Sequence, residues 1–211
     1  MINMTTISAL VLAYILGSIP SAVWIGKLFY GIDVREYGSG NAGATNTFRV
    51  LGKKAGIPVL IIDVCKGYFA VQMATLIALY LPGTQQFINF KLTLGIAALL
   101  GHIFPVFAGF RGGKGVATLL GILSGVHPPA ALICTIIFIV TLLVTKYVSL
   151  SSMLSAIFFP VIIMLVYHET VRSLNLFSMF VAILVLITHQ KNIERILSKK
   201  EGKVFLFRKS G

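Results

Sequence analysis

YVSLSSMLSAIFFPVIIMLVY, residues 147–167, is a run of 21 residues without a single charge. A bilayer core about 30 Å thick is crossed by roughly 17 to 25 helical residues, so this run is long enough to span it and too apolar to face water. Three other runs, 4–26, 55–81 and 92–110, pass the same test of length. Three more are marginal: 116–126, 130–145 and 174–188. His127-Pro128-Pro129 breaks the chain between the first two of these, because proline removes an amide donor and constrains the residue before it. Counted separately they give seven spans. Merged, or with 116–126 re-entrant, the count falls to six or five; five results when 116–145 crosses once and one later segment does not span.

The rest of the chain agrees. Of 211 residues, 57% are hydrophobic and 11% charged, against about 25% charged in soluble domains. That excludes a compact soluble domain, and disorder as well, which needs low hydrophobicity and high charge. The expected fold is an all-α polytopic membrane bundle forming one domain, 1–211. Lys27, the first basic residue, follows the first apolar run, so 4–26 reads as a retained span rather than a cleaved signal. Cys65 and Cys134 lie in apolar stretches with no metal or disulfide spacing.

The formal charge of +12 is a membrane signature before it is a nucleic-acid one. With seven spans and the N-terminus outside, 15 of the 18 basic residues fall on one side: Lys27, Arg35, Arg49, Lys53, Lys54, Arg111, Lys114, Lys146, Lys191, Arg195, Lys199, Lys200, Lys203, Arg208 and Lys209. Lys91 and Arg172 fall on the other, and Lys66 lies within a span. The positive-inside rule makes the crowded side cytoplasmic, which puts the C-terminus there.

Three glycine-rich or basic segments then share the cytoplasmic face: 37–49, 101–118 and 189–201. The first carries GSGNAGATNTFR, whose Gly38, Gly40 and Gly43 satisfy G-x-G-x-x-G, with Asp63 20 residues beyond. A dinucleotide fingerprint needs a preceding strand and a βαβ unit, and neither fits here. The segment does offer Ser39, Asn41, Thr45 and Asn46 for neutral hydrogen bonds and Arg49 for a bidentate phosphate or carboxylate clamp. Read structurally, it is a flexible loop with a positive-inside arginine.

The second, GHIFPVFAGFRGGKGVAT, has Gly112-Gly113-Lys114-Gly115 where a nucleotide-binding loop would require Ser or Thr after lysine, so an ATPase or kinase is not expected. Lys114 stands among glycines at an expected helix start, where amides and the dipole favour phosphate. Glycine packing between membrane helices is the structural alternative, and His102 reads first as a buried structural histidine. In the third, HQKNIERILSKKE, a helix continuing past Thr188 would put His189, Asn192 and Arg195 on one face. The alternative is a basic helix lying on anionic lipid.

No Ser/His/Asp set or metal cluster emerges, and Asp63 reads as isolated at membrane depth. The polar residues suit anions beside a membrane. They leave open a lipid-metabolic enzyme, a transporter of organic anions or phosphate, and a non-enzymatic membrane protein.

The three segments together resemble the cytoplasmic motifs of the bacterial acyl-phosphate:glycerol-3-phosphate acyltransferases, over nearly the whole chain. The third motif departs from the family: Lys199 stands where a glycine usually precedes the glutamate. The resemblance implies transfer of an acyl group from acyl phosphate to sn-glycerol 3-phosphate, giving 1-acyl-sn-glycerol 3-phosphate (lysophosphatidic acid) and phosphate, the first step of phospholipid synthesis. It implies a multi-pass protein of the bacterial cell membrane with its active site facing the cytoplasm. No metal, cofactor, nucleic acid or obligate protein partner is expected, and the protein should be a monomer. Ser39, Arg49, Lys114, His189 and Asn192 are the implied functional centre. Asn41, Asn46, Gly112, Gly113, Gly115 and Arg195 complete the substrate- and phosphate-binding set. His189 takes the hydroxyl proton or only holds phosphate while a substrate oxygen accepts it. The lack of a nearby acid to fix the imidazole tautomer favours the second.

Overall fold

The computed structural model describes residues 4–204, and among these no strand occurs. Arg208 and Lys209 lie outside the described residues. The chain divides into two compact units, 1–128 and 129–211.

In the first unit, α1 (Met4–Gly17) and α2 (Ser21–Tyr30) are bent by 42°. The run read as one span over 4–26 is thus built from two helices, which together are long and apolar enough to cross a membrane once. Pro20, which lacks an amide donor, sits in the break. Gly31 ends α2 with a left-handed φ of 69°. The short α3 (Ala44–Leu51) leads through Gly52 into α4 (Lys53–Ile77). Thr84 caps α5 (Gln85–Ile103) by accepting the Phe87 amide, and the helix stops at Phe104, the residue before Pro105. α6 (Val116–Val126) completes the unit.

Glycines set the crossings. A Cβ on Gly17 would strike the Ala98 backbone and one on Gly101 the Tyr14 carbonyl, so α1 and α5 meet backbone to backbone. Gly67 abuts the Thr118 carbonyl and Gly121 the Val64 carbonyl, which does the same for α4 and α6. Close approach of small residues is how membrane helices gain dispersion contacts without a hydrophobic drive between them.

The second unit holds α7 (Pro128–Thr145), α8 (Val148–Val161), α9 (Arg172–Thr188) and α10 (Gln190–Leu197). Prolines at the start of α7 are tolerated because first-turn amides have no helical acceptor. On α7, Leu132, Ile136, Ile139, Val140, Leu143 and Val144 are exposed while Ala130, Ala131 and Cys134 are buried, so the helix carries a wide exposed apolar face. Pro160 disturbs the end of α8, which continues as a π-helical turn, Ile162–Val166. α9 and α10 are bent by 59° at His189. The helix thus does not run straight past Thr188.

By length and composition four elements can cross a membrane: Lys53–Ile77, Gln85–Ala108, Pro128–Thr145 and Val148–Val166. The two bent pairs raise the number to six. α6, with 11 residues, is about 16 Å long, half a bilayer core.

Candidate functional site

The loop before α3 is built around one asparagine. Asn46 is buried and donates through Nδ2 to the carbonyls of Val34 (2.7 Å) and Tyr37 (3.1 Å). Its Oδ1 accepts both the Ser39 amide (2.8 Å) and the Ser39 hydroxyl (3.1 Å). Gly38, at φ 63°, lets the chain turn against this amide: a side chain there would collide with Asn46 Oδ1. Asn46 therefore holds Ser39 in place. Asn41 is half-buried, and Arg49, near the end of α3, is exposed.

Arg35, which the sequence offered only as one cytoplasmic charge, ties this loop to the next. Its Nε and Nη2 donate to the two oxygens of Asp33 (2.9 and 2.7 Å), and Nη1 donates to the carbonyls of Ala108 (2.7 Å) and Arg111 (3.3 Å). The guanidinium beside Asp33 holds its carboxyl well below the usual carboxylate range, against the opposing effect of burial, and Asp33 raises Arg35 in return.

Beyond Arg111, the Gly112 amide donates to the Ile103 carbonyl (3.1 Å) and the Gly113 amide to the His102 carbonyl (3.2 Å). Both are engaged in closing the turn onto the end of α5, which corrects the expectation that they face an anion. Gly115 has φ 84° and starts α6, leaving half-buried Lys114 between the turn and the helix. A side chain at Gly113 would collide with His102 Nε2 and come within 3.2 Å of the Ala42 carbonyl, so the first two loops meet over His102.

Beneath them lies a buried polar cluster. Asp63 is not isolated: Lys66 Nζ lies 2.9 Å from its Oδ1, and the Ser21 hydroxyl donates to the same oxygen at 2.8 Å. Thr118 Oγ1 is 3.1 Å from His102 Nδ1. The sequence signal was available in the three-residue spacing of opposite charges within one apolar helix.

The third segment gathers within the second unit. His189 is buried at the α9–α10 bend, and its Nδ1 lies 2.8 Å from the Val185 carbonyl. A carbonyl only accepts, so this contact favours the tautomer with the proton on Nδ1. The partner is a backbone carbonyl rather than the acid sought in the sequence. Asn192 donates through Nδ2 to Glu201 Oε1 (2.6 Å), which also accepts the Ser149 hydroxyl (2.7 Å). Arg195 Nε lies 3.7 Å from Glu201 Oε2. Lys199 has φ 57°, the left-handed conformation a glycine favours, and the Lys200 and Glu201 amides both reach the Arg195 carbonyl. The turn thus forms with lysine in place of the family glycine.

Comparison with known proteins gives a consistent picture. A family model for glycerol-3-phosphate acyltransferase matches residues 7–199. Glycerol-3-phosphate acyltransferase from Staphylococcus carnosus is 46% identical over 202 residues, covering 95% of this chain and 98% of that protein. Glycerol-3-phosphate acyltransferase 2 of Bacillus anthracis is 46% identical over 198 residues, covering 94% and 98%. Among solved structures, the glycerol 3-phosphate form of PlsY, an integral membrane glycerol 3-phosphate acyltransferase, superposes with a TM-score of 0.85 at 33% identity, covering 97% of this chain and all of that one. The lysophosphatidic acid form of PlsY gives a TM-score of 0.80 at 32% identity, covering 95% and 96%.

Proposed function

The chain belongs to the glycerol-3-phosphate acyltransferase family, and from that premise we propose that it joins an acyl chain, delivered as acyl phosphate, to glycerol 3-phosphate on the cytoplasmic side of the membrane. It is an all-α integral membrane enzyme of phospholipid synthesis. Seven spans, an external N-terminus and a monomeric state complete the reading. Residues 1–211 act as one catalytic domain.

Acyl phosphate is a mixed anhydride, so its leaving group needs no activation. The demand is to hold two anions that repel each other and to aim a hydroxyl at the carbonyl. In the first unit, Arg49 and Lys114 bind phosphate oxygens, Ser39 and Asn41 orient oxygens through neutral hydrogen bonds, and Asn46 positions Ser39. Gly112, Gly113 and Gly115 shape the turn that carries Lys114.

In the second unit, His189 Nε2 accepts the proton of the attacking hydroxyl. The new ester C–O bond forms as the bond from carbonyl carbon to phosphate oxygen breaks, and inorganic phosphate leaves with the electron pair. Asn192, steadied by Glu201, orients the acceptor, and Arg195 adds positive charge. The observation that carries the base role is the Val185 carbonyl on Nδ1, which directs the lone pair to Nε2.

The test is phosphate release by purified protein. It should require both acyl phosphate and glycerol 3-phosphate and should yield a monoacyl lipid. Movement of glycerol 3-phosphate across vesicles without lipid formation would favour a transporter, and strict dependence on acyl-CoA would remove the donor assignment.

A further inference from the structure

In the first unit, α2, α4, α5 and α6 meet at charged groups that stability alone does not explain. Asp63 and Lys66 are buried in α4, where the desolvation of two ions offsets much of their attraction and apolar replacements are often no worse. At membrane depth such residues are rare and usually serve a function. Their partners indicate which one.

Lys66 Nζ donates to the Ile19 carbonyl (2.9 Å) in the break between α1 and α2, and Ser21 holds Asp63 from the start of α2. Asp63 Oδ1 lies 3.7 Å from His102 Nδ1, beyond hydrogen-bond reach but well within its field. The same nitrogen meets Thr118 in the first turn of α6. His102 then supports the Gly112–Gly113 turn twice, through its carbonyl on the Gly113 amide and through Nε2 filling the space a side chain at Gly113 would need. A small cavity at this point is lined by Ala42, Asp63, Lys66, His102, Gly112 and Gly113. Lys114 is the next residue along.

We propose that Ser21, Asp63, Lys66, His102 and Thr118 form a buried positioning network that fixes the turn carrying Lys114 and so sets the affinity for glycerol 3-phosphate. The inference rests on the function proposed above. The network gives no group to the reaction; it determines where a binding group stands. Disturbing it raises KM for the acceptor more than it lowers kcat.

Thr118→Val keeps the side-chain shape and removes the hydroxyl, while Thr118→Ser keeps the hydroxyl. Loss of one ordinary hydrogen bond corresponds to a rise of about tenfold in KM and in Kd for glycerol 3-phosphate. The serine variant should stay within about twofold of wild type, as its hydroxyl is retained. Asp63→Asn combined with Lys66→Met removes both charges together and leaves no lone buried ion, and it should raise the acceptor KM in the same way. Thermal unfolding in detergent reports the fold of each variant. Unchanged acceptor KM in folded Thr118→Val and in the folded double variant overturns the proposal. So does a Thr118→Val protein that fails to fold while Thr118→Ser keeps both fold and affinity, since the hydroxyl is then structural only. A wild-type protein that neither binds nor acylates glycerol 3-phosphate overturns the function beneath it, whatever the variants do.

Discussion

At the scale of single residues, the chemistry turns on which atoms already have partners. His189 differs from a surface histidine because the Val185 carbonyl holds Nδ1. His189→Gln should abolish most turnover while leaving glycerol 3-phosphate affinity within about threefold, as expected for a group whose main contribution is made in the transition state. Wild-type turnover should also fall toward acid pH, since imidazolium has no lone pair to offer. Intact turnover in the glutamine variant, measured as phosphate release with affinity determined separately by calorimetry, would return the proton to a substrate oxygen. Arg35 has the clearest pH consequence for stability. The Asp33 carboxyl is held below its ordinary range, so its stabilisation is fully present above the unfolded value of about 3.9 and is lost as pH falls below that toward the folded value. Unfolding midpoints of wild type should therefore not respond to this pair between pH 6 and 8 (roughly the range above both values), and Arg35→Lys should lower them at every pH in that range. A lysine cannot reproduce the fork that reaches Asp33, Ala108 and Arg111 together.

At the scale of helices and turns, glycine and one lysine give the sharpest tests. Gly121 faces the Val64 carbonyl and the Tyr68 amide nitrogen across the α4–α6 crossing. Gly121→Val has no room unless the helices separate, and it should cost about 3 kcal/mol or more, seen as a lowered unfolding midpoint or loss of folded protein. Lys199 adopts a backbone conformation that costs a non-glycine residue about 1 kcal/mol. Lys199→Gly should relieve it, raising thermal stability modestly and leaving KM and kcat unchanged. These elements also show what could be read in advance. Every long apolar run is predominantly helical, because length and apolarity decide that locally, although 4–26 is broken into two helices. The bends at Ser18–Pro20 and at His189 were not foreseen, nor was the capture of the Gly112 and Gly113 amides. Pro20 marks the first break locally, whereas the Gly112 and Gly113 amides reach the Ile103 and His102 carbonyls only once the loop between them folds back, which the local pattern does not specify. The roles of Arg35, Thr118 and Glu201 escaped for the same reason, whereas the Asp63 and Lys66 pairing was present in their spacing and was passed over.

At the scale of the whole chain, the proposed orientation in the membrane rests on charge rather than on packing. Seven of the 18 basic residues, Arg49, Arg111, Lys114, Lys191, Arg195, Lys199 and Lys200, lie in the three segments that carry Ser39, Lys114 and His189. In the proposed orientation, anionic substrates on the cytoplasmic side would meet these charges directly, so the asymmetry that would orient the chain would also concentrate its substrates. The length of α6 makes the path from 111 to 146 the sensitive part: two crossings give seven spans, and a single one, with a later segment not spanning, gives five. Single cysteines placed by Lys53→Cys, Gln86→Cys, Lys146→Cys and Lys200→Cys, each at an exposed position in a protein whose Cys65 and Cys134 are replaced by alanine, discriminate these paths. In intact cells an impermeant thiol reagent should reach Gln86→Cys alone. The other three should react only after the membrane is opened. Labelling of Lys146→Cys from outside would leave a single crossing between 111 and 146 and exclude seven spans. Labelling of Lys53→Cys and Lys200→Cys with Gln86→Cys protected would reverse the orientation and place the loops of Ser39 and Lys114 away from the cytoplasmic pool of phosphorylated substrates.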